Sequence, residues 1–180
     1  MTKEEAKKIL DEWVKSPNLK KHMYAVAQAM AFYARKFIQD EERWWIVGLL
    51  HDLDYEKYPK EHPHKAVEFL KNKIDQESLD AIMSHASYTN TPRNSMMAKT
   101  LFAVDELTGM IIAVALVKPD KKLSSVDVTS VKKRFKEKRF AAGVNREEII
   151  KGTEELRVFL DEHIQNVITA MREISHELDL

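Results

Sequence analysis

Between residues 19 and 37 the large apolar side chains fall at Leu19, Met23, Val26, Met30, Tyr33 and Phe37, in steps that alternate between four and three. Only an α-helix returns that spacing to one face, and a stripe of this length must be covered by other helices. Ser16-Pro17, just upstream, suits a cap followed by the first helical position. His22 stands one turn after Leu19 and one turn before Val26, so its ring is expected along the buried edge.

The same grammar continues through the chain. Thr2 and Glu5 form a capping box for a first helix that ends near Lys15. Asp40, with Glu41 and Glu42 behind it, suits the positive end of a helix macrodipole, and the helix carries Trp44, Trp45, Ile46, Val47, Leu49 and Leu50 to His51-Asp52. Trp44 and Trp45 are assigned to packing, with the alternative that one of them marks a subunit contact, since neighbouring residues on a helix diverge and cannot both face one core. After the polar linker YEKYPKE, Pro63 is expected to begin a short helix reaching about residue 72, with His62 at its cap. A further helix from about Asp75 carries Leu79, Ile82 and Met83 to His85, and ASYTNTPRN reads as a loop. Ser95 opens a strongly apolar helix to about Val117, expected at the centre of the fold, with Asp105 on the face of Leu101, Phe102 and Thr108.

Beyond Lys118-Pro119 the chain turns basic, with nine Lys or Arg against three acids over residues 118 to 139. A solvated helix over about residues 128 to 138, a stop at Gly143 and a second capping box at Asn145 and Glu148 lead to helices reaching Leu180. Only 4 glycines and 5 prolines punctuate 180 residues, too few to turn many strands, so the expected fold is an all-α helical bundle. The length suits one domain, with a motif-bearing core over about residues 16 to 117 and a C-terminal helical extension over 118 to 180.

Lys and Arg together number 29 and so do Asp and Glu, so global charge argues for neither a nucleic-acid nor a membrane partner. The basic stretch has no nucleic-acid fold signature with it, and nucleic acid is not expected as a partner; homo-oligomer formation stays open. The N-terminal MTKEEAKKIL lacks the apolar core of a secretory signal, and Asp105 with Glu106 interrupts the longest apolar run, so a cytoplasmic protein is expected. Cysteine is absent, which fits a reducing compartment and leaves His, Asp and Glu as the available metal ligands.

Four sites then stand out: His22 on one helix, His51-Asp52 at the end of the next, His85 at the end of another, and Asp105 inside the central one. A carboxylate among Leu101, Phe102, Val104 and Leu107 carries a desolvation cost of several kcal/mol unless it is paired or bound to a metal. Adjacent helical residues diverge by about 100°, so His51 and Asp52 need partners from other helices, and His22 and Asp105 are the inward-facing candidates. His62 and His85, both at helix ends beside loops, are placed to supply a second metal; His64 competes with His62 for that role. Asp105 has the alternative of a buried ion pair with Lys99 or Arg93, and His22 that of a satisfied core histidine. His163 and His176 are assigned structural or surface roles in a charged C-terminal helix, and the methionines core filling.

One His, an adjacent His-Asp and a distant Asp on a long helix, in that order, resemble the HD domain superfamily of metal-dependent phosphohydrolases. The resemblance covers roughly residues 16 to 117, and "HDLDYEKYP", "EHPHKAVEFL", "SHASYTNTPR" and "LFAVDELTG" are similar to a small group of uncharacterised bacterial HD hydrolases. It implies metal ligation by His22, His51, Asp52 and Asp105, with His62 and His85 matching the branch with two metals. It also implies hydrolysis of a phosphoester by a metal-activated water, with His51 and Asp52 as the catalytic pair and Asp52 as the natural bridge between two cations. The expected substrate is a small phosphorylated metabolite, a nucleotide or related phosphoester; the alternative is a degenerate module that binds a nucleotide or a protein without hydrolysis. One or two divalent ions are expected, and N and O donors do not distinguish Mn, Fe, Mg, Co, Ni and Zn. Many HD hydrolases follow the dipeptide with a small residue and then a lysine, where this chain has Asp54 and Tyr55. Arg93, Lys65 and Lys118 are therefore candidates for holding substrate phosphate and Tyr88 for stacking on a base or sugar, Arg93 first because its planar fork matches phosphate oxygens.

Overall fold

The structure, a computed structural model, describes residues 1–180 and is all-α, with no strand. Helix α1 (Lys3–Trp13) opens on the expected box: the Thr2 hydroxyl accepts the Glu5 amide at 3.2 Å and the Glu5 carboxylate accepts the Thr2 amide at 2.7 Å. Side chains of Ser16, Asp40, Asp75 and Ser95 cap α2 (Pro17–Lys36), α3 (Glu41–Leu50), α5 (Gln76–His85) and α6 (Met96–Leu116) in the same manner, each accepting the amide three residues on. Helix α4 (His64–Leu70) differs: Pro63 occupies the cap position and offers no side-chain bond, so His62 lies one residue outside the helix rather than at its cap.

Four more helices follow: α7 (Val128–Phe135), α8 (Arg146–Leu156), α9 (Leu160–Arg172) and α10 (Ser175–Leu178). Helix α7 stops short of residue 138 because the Arg146 guanidinium gathers the carbonyls of Phe135, Glu137, Phe140, Ala141 and Val144, holding that stretch as a turn. Asn145 caps α8 through the amides of Glu147 and Glu148, but no reciprocal capping box forms. The Asn145 amide that Glu148 would have accepted goes instead to the Glu106 carboxylate at 2.9 Å.

Helix α6 is central, packing on α2, α5, α7, α8 and α9, and α2 lies between α3, α6 and α9. One apolar cluster runs from Ala6 to Leu180, so the C-terminal helices share their core with the motif-bearing ones. Both Trp44 and Trp45 are packing residues, buried on two different sides of α3. Helix α1 covers the face of α3 that α2 leaves open, placing Lys3 and Lys7 over the Trp45 ring while Trp44 meets Phe37. Gly48 sets how close α2 and α3 come: a Cβ there would stand 2.7 Å from the Ala27 Cα. No helix is long and apolar enough to cross a membrane.

Candidate metal centre

Five segments deliver the six expected groups to one place. His22 comes from the first half of α2, His51 and Asp52 from the end of α3, His62 from the turns before α4, His85 from the last position of α5, and Asp105 from the middle of α6. Around the Asp52 carboxylate, Oδ2 lies 3.6 Å from His22 Nε2 and 3.4 Å from His51 Nε2, while Oδ1 lies 3.4 Å from His62 Nε2 and 3.5 Å from His85 Nε2. Asp105 Oδ1 closes the first side, 3.0 Å from His22 Nε2 and 3.5 Å from His51 Nε2. The alternative of a pair between Asp105 and Lys99 or Arg93 is not what the structure contains.

The opposite nitrogen of every ring is held. His51 Nδ1–H donates to the Gly48 carbonyl at 2.7 Å and His85 Nδ1–H to the Ile82 carbonyl at 2.5 Å. His62 Nδ1–H donates to Asp54 Oδ1 at 2.7 Å. His22 Nδ1 lies 3.3 Å from the Thr108 hydroxyl, which spends its own proton on the Asp105 carbonyl and so accepts from the ring. Carbonyls and carboxylates only accept, so the proton of each neutral imidazole sits on Nδ1 and the Nε2 lone pair faces the cluster. An apolar helix ends on His51-Asp52 because its last turn offers the Gly48 carbonyl as an anchor and leaves the dipeptide aimed outward from the helix end.

The donor set fits a divalent cation. His51 is fully buried, and its Nε2 has no hydrogen-bond partner, a costly state for a polar atom unless an electrophile meets it. Histidine nitrogen and carboxylate oxygen are suitable ligands, and outer hydrogen bonds of the kind made by each Nδ1 are how ligating rings are oriented. Ligand atoms of His22, His51 and Asp105, and of His51, Asp52 and His85, lie within 4.8 Å of one another. Burial opposes charge on His51, yet Asp52 and Asp105 beside it push its imidazole well above its ordinary value. Burial likewise opposes ionisation of Asp52 and Asp105, and the surrounding imidazoles hold both well below the usual carboxylate range. The cluster is thus polarised for positive charge at its centre.

The centre opens into a cleft of about 440 Å³ walled by Leu19, Tyr55, Tyr88, Glu106 and Glu148 among others. Of the four substrate-binding candidates only Tyr88 lines it, with its hydroxyl donating to the His62 carbonyl at 2.7 Å. Arg93 is elsewhere engaged: it grips Glu155 at 2.7 and 2.8 Å, donates to the Ser84 carbonyl, and stacks 3.7 Å above the Phe102 ring centre. Lys65 pairs with Glu61 and Glu68 on the surface. Lys118 follows the far end of α6, roughly 20 Å from Asp105 along the helix axis. His64 is exposed, leaving His62 in the cluster.

Asp54, Thr108, Glu106 and Glu148 were not expected at the centre. Asp54 had a signal in its departure from the small residue of the resembling pattern, and Thr108 in sharing a face with Asp105. Burial, and then the nearby Asp105 and Glu148, push Glu106 up to about 7. A family model described as HD domain matches residues 19–117. No curated protein and no solved structure matches the chain.

Proposed function

The chain belongs to the HD domain family, and from that premise we propose that it is a metal-dependent phosphohydrolase acting on the phosphoester of a small phosphorylated metabolite. The observation that carries the reading is the convergence of four Nε2 atoms on the two oxygens of a single carboxylate, Asp52. In this reading His22, His51, Asp105 and Asp52 would hold one cation, and His62, His85 and Asp52 would hold a second. A bound divalent ion lowers the pKa of water towards neutrality and stabilises charge on phosphoryl oxygens.

The chain's own contribution is placement. Asp52 spans both halves of the centre, so no other residue can substitute for it, and the hydrogen bonds at Nδ1 keep four rings aimed without the cation's help. No Lys or Arg lines the cleft, which leaves the phosphoryl charge to be met at the centre rather than by side chains. The Tyr55 and Tyr88 rings flank the mouth, where the alcohol part of a substrate would rest.

A panel of phosphoesters offered to protein stripped with chelator and then reloaded with Mn, Fe, Co, Ni, Zn or Mg tests this directly. Turnover that requires the ion and is abolished in Asp52→Ala is expected. Turnover by the metal-free preparation contradicts the mechanism, and tight binding of a nucleotide that stays intact through long incubation favours a binding module instead.

A further inference from the structure

Asp54 is fully buried two residues beyond Asp52, in the turns that follow α3. Unlike Asp52 and Asp105, it faces no Nε2 atom. Its Oδ1 accepts His62 Nδ1–H at 2.7 Å and its Oδ2 accepts the Ala66 amide at 2.9 Å. That amide is one of the unpaired donors at the start of α4, where Pro63 offers no capping side chain. One carboxylate therefore ties together the turn after α3, the loop at His62 and the beginning of α4.

A consequence follows for His62. A neutral imidazole has one ring proton to place, and a carboxylate can only accept, so the proton stays on Nδ1 and the lone pair on Nε2. That Nε2 lies 3.4 Å from Asp52 Oδ1 and 3.2 Å from His85 Nε2. His22, His51 and His85 sit on or at the end of helices that fix their backbones, whereas His62 lies in a segment of turns. Its ring is the one whose heading depends most on a side-chain partner.

We propose that Asp54 is a positioning residue that fixes the tautomer and heading of His62. The second cation position, formed by His62, His85 and Asp52 Oδ1, then depends on Asp54, and the first, formed by His22, His51, Asp105 and Asp52 Oδ2, does not. This rests on the metal reading above and divides the centre into two separable halves. Asp54→Asn keeps the size of the side chain but not its chemistry: if the amide oxygen keeps the Ala66 bond, the amide nitrogen faces His62 Nδ1. The proton is then driven to Nε2, and the lone pair is lost.

Elemental analysis and Mn titration of the full chain after chelation and reloading test the idea. Two ions per chain are expected in the wild type and one in Asp54→Asn, with uptake of the second ion weakened about 10- to 100-fold. His62→Ala should lose the same ion. Two ions bound by Asp54→Asn with unchanged affinity overturn the proposal alone, whereas no uptake by the wild type overturns the metal reading and this with it. Nitrogen-15 spectra of the wild-type histidine rings need no variant: a proton on His62 Nδ1 is expected, and a bare Nδ1 overturns the assignment even if Asp54→Asn fails to fold.

Discussion

At His163 the chain buries an imidazole that has no part in the cleft. Its Nε2–H donates to the Ala103 carbonyl at 2.8 Å, and its Nδ1 accepts from the Tyr33 hydroxyl at 2.6 Å, which in turn accepts from Asn166 at 3.3 Å. Burial pushes Tyr33 up to about 12, keeping it a phenol that can donate. Burial also pushes His163 from 6.5 down to about 4. With the folded value below the unfolded one, the unfolded chain takes the proton first. The stability that goes with a neutral His163 is full above about pH 6.5 and is lost, on the order of 3 kcal/mol, as pH falls towards 4. Thermal melts of metal-free protein across that window should fall less steeply for His163→Gln than for the wild type; parallel curves contradict the assignment. Arg93 likewise serves the fold rather than the cleft. Its position on a loop between two expected ligands suggested phosphate binding, because the sequence does not show Glu155, its partner 62 residues away. Arg93→Ala should destabilise the fold by about 3 kcal/mol in denaturant titration, since it leaves a half-buried Glu155 without its charge partner. A rise in KM with stability unchanged would restore the substrate-binding role.

At the scale of the element, the helices were legible because their signals are local. Caps at Thr2, Ser16, Asp40 and Ser95 act on amides three residues on, and a pattern within one turn is visible in the sequence. Where the outcome turned on a distant competitor the local signal misled. The Asn145 box failed because Glu106, 39 residues back, took the amide, and the end of α7 moved because Arg146 claimed its carbonyls. The convergence of His22, His51, Asp52 and Asp105 was readable from order and helical face, but Asp54 acts through residues 8 and 12 positions on, across a turn with no periodicity. Gly48 belongs to the same scale. Its missing Cβ lets α2 and α3 approach, and its carbonyl anchors the His51 ring. Gly48→Ala should cost about 1–3 kcal/mol of stability and weaken metal uptake together, as calorimetry and Mn titration would measure. Destabilisation with uptake unchanged would separate the two roles.

Over the whole molecule the C-terminal helices are part of the cleft's support. Helix α8 carries Glu148 into its wall and Glu155 to the Arg93 loop, and the basic stretch around α7 lies outside its lining. Cleft charge then bears on substrate size. A second or third phosphate would meet Glu148 and, above about pH 7, an ionised Glu106, with no Lys or Arg among the lining residues, at a cost of about 2 kcal/mol per charge pair roughly 8 Å apart. A phosphomonoester should therefore be turned over with at least about tenfold higher kcat/KM than the matching triphosphate, and the reverse order in a steady-state comparison would show that charge is met by groups outside the cleft. The claim on which all of this rests is that Asp52 stands between two cations. An anomalous-difference map from crystals of Mn-loaded protein decides it: two peaks are expected, one at each oxygen of Asp52, and a map with no peak between that carboxylate and the four histidine rings contradicts it.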